Sequence, residues 1–105
     1  MAENYLIYYM LKNEKVLNMV ENRVGYFPDK NIRELSNEII YYFHKYGIIN
    51  VADFISYISD REEILRTLRD IIAMGIKVDF QIEEIEDHIF ALNEYRQEVG
   101  VNNIH

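Results

Sequence analysis

The chain has 105 residues, eighteen Asp and Glu against eleven Lys and Arg, three His and no Cys, for a net charge of −7. That length carries one domain with one modest core, and half the residues are apolar, which excludes a disordered or fibrous chain. No apolar run reaches the roughly 18 residues a membrane span needs and no signal peptide opens the chain, while the lack of Cys excludes disulfides, thiolate zinc sites and cysteine nucleophiles.

The few helix breakers divide the chain. Gly25–Pro28, Gly47 and Gly75 separate segments, and Gly100 opens a tail. Sixteen Ile raise the strand propensity, but the spacing of apolar residues is helical. From Ala2 to about Lys12, Leu6, Ile7, Met10 and Leu11 fall on one face. Asn13 is placed to cap a second helix, Glu14 to about Arg23, with Val16, Leu17 and Val20 inward. Val24 to Pro28 interrupts the period and reads as a loop. Asp29 starts a long helix that runs to Tyr46 and closes at Gly47. Its stripe of Ile32, Leu35, Ile39, Tyr42, Phe43 and Tyr46 lies within about 60° of one direction.

Asn50-x-x-Asp53 resembles a capping box and opens a short helix to Tyr57 or Ile58. Ser59-x-x-Glu62 has the same pattern and predicts the start of a fifth helix ending at Gly75. Ile64, Leu65, Leu68, Ile71 and Ile72 make its expected inner face. Asp79 is placed to cap the last helix, which turns Ile82, Ile85, Ile89 and Leu92 inward and fades near Val99. The expectation is an all-α bundle of about six helices over residues 1–98, with a frayed tail over 99–105.

Reactive constellations are sparse. Glu84 and His88 share a helix face, as metal ligands do, but di-iron bundles use Glu-x-x-His twice with further Glu on other helices. Here position 85 is Ile, and His44 has no carboxylate at metal-binding spacing. A surface histidine beside an acid is the reading we favour. The run Glu83-Glu84-Ile85-Glu86-Asp87 lies in the first turns of a helix, where the dipole stabilises negative charge, and a solvated face explains it. Phosphate loops, nucleophile elbows, HExxH and calcium loops are missing. We expect no catalytic residues, no metal and no cofactor. The scattered cations speak against direct nucleic-acid binding, which needs clustered Lys and Arg.

Nine Tyr and five Phe stand out. Tyr41 falls about 160° from the centre of its stripe, Tyr5 roughly opposite the first helix's stripe, and Phe90 about 140° from Ile85. Each is either covered by a neighbouring helix or an anchor for a partner. Arg66 and Arg69 lie on the outward side of the fifth helix, with Arg61 at its start, as solvated charge or as a basic patch for an acidic partner. The candidate partner-binding residues are therefore Tyr5, Tyr41, Arg66, Arg69 and Phe90.

The order of these segments resembles a known family. Ala2-Glu3-x-x-Leu6-Ile7-x-x-Met10-Leu11-Lys12, Phe27 before a helix bearing Arg33-Glu34-Leu35, Tyr41 to Gly47, and Asn50-Val51-Ala52-Asp53-Phe54-Ile55-Ser56-Tyr57-Ile58 are similar to the C-terminal domain of bacterial DnaG-type primase. The resemblance implies a cytoplasmic, non-catalytic module, monomeric in isolation, that tethers primase to the N-terminal domain of the replicative DnaB-type helicase and stimulates it. In that family a helical bundle is followed by a C-terminal helical hairpin. This sequence stops at His105 with no room for the hairpin, so the resemblance implies the bundle subdomain of a longer protein. The N-terminal domain of DnaB-type helicase, similar in fold, is the nearest rival, followed by a free-standing acidic adaptor. An enzyme using Glu84 and His88 as metal ligands is the remaining alternative.

Overall fold

The computed structural model describes residues 2–77 and 79–104, the side chains of 95–104 excepted. Six helices follow one another: α1 (Ala2–Lys12), α2 (Glu14–Arg23), α3 (Lys30–Tyr46), α4 (Val51–Tyr57), α5 (Glu62–Ala73) and α6 (Ile82–Ile104). The described residues contain no strand. The all-α bundle expected from the spacing is the fold, and no described helix is long and apolar enough to cross a membrane.

The early helix boundaries follow from their caps. Asn13 ends α1 and starts α2, its side-chain oxygen accepting from the Val16 amide at 3.2 Å. Asp29 does the same for α3 through Ile32 at 3.0 Å, and Asn50 for α4 through Asp53 at 3.2 Å. Gly47 closes α3 at φ +78°, a left-handed conformation that glycine adopts without a Cβ clash.

Two expected caps are corrected. Ser59 does not cap α5; its hydroxyl donates to the Ser56 carbonyl at 2.8 Å, inside the turn that finishes α4. Arg61 occupies the position before α5 and makes no side-chain cap, because a guanidinium has no acceptor to offer the free amides; it pairs with Glu38 on α3. Asp79 stands too early to cap α6. The Gln81 carbonyl accepts from the Glu84 and Ile85 amides, so the helix begins at Ile82. Helical backbone then continues past Val99 to Ile104; His105 lies outside the described residues.

α1 is the pivot of the bundle, packing on α2, α3, α5 and α6. Leu6, Ile7, Tyr9, Met10 and Leu11 are all buried, which covers roughly 200° of its circumference. α6 packs on α1 and α2 along the line Ile85, Ile89 and Leu92. Two expected core residues are corrected at the edges. Tyr46 is half-exposed and leans on Tyr42, and Ile72 looks outward while Ile64, Leu68 and Ile71 fill the α5 face.

Candidate functional site

Most of the aromatic surplus is spent between helices. On α1, Tyr9 lies 4.7 Å from Phe80, in the connection before α6, and 6.4 Å from Tyr5, whose ring stacks on His88 of α6 at 5.2 Å and 5°. At the α3–α4 corner, Tyr42 meets Tyr46, Phe54 and Tyr57 at 4.6, 5.4 and 5.1 Å. Tyr5 is thus a packing residue on this geometry, half-buried against α6. His88 uses its ring face on Tyr5. Among the described residues no group of three His, Asp or Glu is arranged to hold a metal ion.

Two of the candidate aromatics are left over. Tyr41 is 57% and Phe90 64% exposed, and neither meets another ring among the described residues. They sit on different helices, α3 and α6, and α2 joins them. His44, one turn beyond Tyr41, is 2.7 Å from the Glu21 carboxylate on α2. On the other flank Arg23 of α2 lies 3.6 Å from Glu86, and its carbonyl accepts from the Asn93 side-chain amide at 3.0 Å. Phe90 falls between Glu86 and Asn93 on the same stripe of α6. The C-terminal end of α2 is therefore bracketed by Tyr41 on one side and Phe90 on the other.

Below that end, the loop from α2 into α3 forms an elbow. Tyr26 is half-exposed there, while Phe27 is buried. Between loop and helix opens a cleft of about 300 Å³ lined by Val20, Glu21, Tyr26, Arg33, Ser36 and Asn37, among others. Arg33 donates to the Phe27 carbonyl at 2.9 Å, and its guanidinium lies 4.8 Å over the Tyr26 ring. Sequence reasoning left Tyr26 out of the candidate residues. Its only local signal was an aromatic pair beside the chain's one proline.

No family model, no curated protein and no solved structure compared with the chain matches it. The site is thus read from its own chemistry.

Arg66 and Arg69 are exposed on α5, a helix that packs on α3 and α1. Nothing in the contacts joins them to the elbow. Arg61, at the start of α5, is instead tied down. Its guanidinium pairs with Glu38 at 2.5 Å and lies 5.7 Å over Tyr57. The hydrogen bond with Glu38 holds Arg61 above its ordinary value against the opposing effect of burial. Burial, reinforced by the Glu38 charge, pushes the Tyr57 phenol up, and burial likewise raises Tyr9. These perturbed groups lie in structural ring clusters. The elbow face offers exposed aromatics, an ordered cation and no perturbed acid or base.

Proposed function

We propose that this chain is a protein-docking module, the helicase-binding helical bundle of a bacterial DnaG-type primase. In this reading it carries no catalysis of its own, works in the bacterial cytoplasm, and meets the N-terminal domain of the DnaB-type helicase through the α2–α3 elbow. The observation that carries the docking role is the pair Tyr41 and Phe90, two large exposed side chains brought to the flanks of one helix end. Exposed rings of this size are unfavourable in water and are typical anchors when a partner covers them. The choice of partner rests on the order of the primase-like segments, Ala2 to Lys12, Phe27 with Arg33-Glu34-Leu35, Tyr41 to Gly47 and Asn50 to Ile58. The capped helices and continuous core favour docking as a preformed surface, with little folding on contact.

ATP turnover by purified DnaB-type helicase, measured with and without the chain, tests the reading. Stimulation that saturates, and that Tyr41→Ala or Phe90→Ala weakens without unfolding the bundle, is the expected result. Unchanged turnover at saturating chain, together with no binding in sedimentation, sinks it.

A further inference from the structure

The cleft at the elbow holds a cation of an unusual kind for this protein. Arg33 is fixed by two contacts, the 2.9 Å bond to the Phe27 carbonyl and the Tyr26 ring beneath it, and neither neutralises its charge. Among the described residues Arg33 makes no ion pair, although the chain holds eighteen acids to eleven Lys and Arg. One carboxylate does line the cleft, Glu21, and it is engaged by His44 instead. Guanidinium groups carry five N–H donors, so the single bond to Phe27 leaves most of them for another acceptor.

The neighbouring donors point the same way. Ser36 and Asn37 stand three and four residues after Arg33, hence on the same side of α3, and both line the cleft. Ser36 is 3% exposed and is the one polar residue buried among the described residues. A hydroxyl placed there, with an amide beside it and a guanidinium held one turn away, gives the cleft three donor side chains on one side of α3. Val20, Val24 and Ile40 supply apolar walls for whatever carries the acceptor.

We propose that this cleft recognises a carboxylate, with Arg33 as the charged donor and Ser36 and Asn37 as neutral ones. A single cation matches a single negative charge. A doubly charged phosphate would remain half-neutralised beside Glu21 in an acidic protein. The carboxylate belongs either to a partner polypeptide or to a free small acid, and the chemistry of recognition is the same. This inference uses the elbow as an interface, as above, but does not depend on which protein docks there.

The test is a nuclear magnetic resonance titration of the isotope-labelled chain with four probes: N-acetyl-leucyl-leucine as the free acid, the same dipeptide as its amide, propionate, and inorganic phosphate. We expect the free acid to shift the Tyr26, Arg33, Ser36 and Asn37 signals saturably while the amide leaves them in place. Propionate binding more tightly than the dipeptide, with the same shifts, supports the site and assigns it to a small acid. Equal binding of acid and amide, silence of both carboxylates at millimolar concentration, or tighter binding of inorganic phosphate than of either carboxylate overturns the proposal. Arg33→Gln should weaken the acid by roughly tenfold or more. Because Arg33 also steadies the loop, two gentler variants accompany it. Arg33→Lys keeps the charge but loses the fork and the stacking, and Asn37→Ala changes only an exposed amide. Both should bind more weakly with the fold intact, and wild-type binding by both would overturn the assignment.

Discussion

The bundle contains two ring clusters that solve different problems. At the α3–α4 corner, Tyr42 of α3 meets Tyr46 beside it and Phe54 and Tyr57 of α4, a helix of only seven residues. Such a helix is too short to persist alone, and here Phe54 and Ile58 anchor it while Arg61 and Glu38 tie the corner to the start of α5. Between α1 and the start of α6, Tyr5, Tyr9, Phe80 and His88 join two helices that already share an aliphatic core, Leu6, Ile7, Ile85 and Ile89. One cluster creates an element; the other seals a seam. Ring count alone does not distinguish them, whereas the length of the helix being held does.

The comparison is broken most directly at Phe54. Replacing this fully buried ring by Ala should cost about 3–5 kcal/mol, read from urea unfolding, and should release α4 first. Tyr5→Ala, in the seam, should cost only about 1–2 kcal/mol, because aliphatic contacts still hold α1 to α6. Near-equal losses at the two positions would show that the seam depends on its rings as the corner does.

A smaller effect tests the charged part of the corner. Arg61→Ala should cost about 1 kcal/mol or less, since the pair is partly exposed, and raised salt should shrink the difference from wild type. The same salt series should leave Tyr5→Ala unchanged relative to wild type.

Alkaline titration probes both clusters together. Tyr9 and Tyr57 have folded-state values raised above 10.0, so the folded chain holds these protons more tightly than the unfolded chain. Their contribution is complete below about pH 10 and is lost as the pH climbs through the folded values. Tyr9→Phe and Tyr57→Phe combined should flatten the fall in melting temperature above that pH. The smallest effect on stability is expected at Tyr41→Ala and Phe90→Ala, within about 0.5 kcal/mol each, because neither ring packs in either cluster.

Helix order, the caps at Asn13, Asp29 and Asn50, and the stop at Gly47 were legible from the residues themselves. Each is a local matter, settled by a side chain and a backbone group within four positions. Ser59 shows the limit of that reasoning. Its capping pattern is as good as Asn50's, yet Glu38, more than twenty residues upstream, draws Arg61 into the position before α5 and the hydroxyl turns back to α4. The aromatics divide the same way. Angles around each helix correctly set Tyr41 and Phe90 outside but also set Tyr5 there, because periodicity gives the direction of one core and says nothing of a second neighbour. α1 has neighbours over most of its surface and α6 along one line, so only the packed bundle decides which off-stripe ring is covered. The elbow cleft belongs wholly to that second category. Glu21, Tyr26 and Arg33 are separate residues in the chain, and they line one cleft only when α2 folds back beside α3, where His44 engages the one acid of that lining.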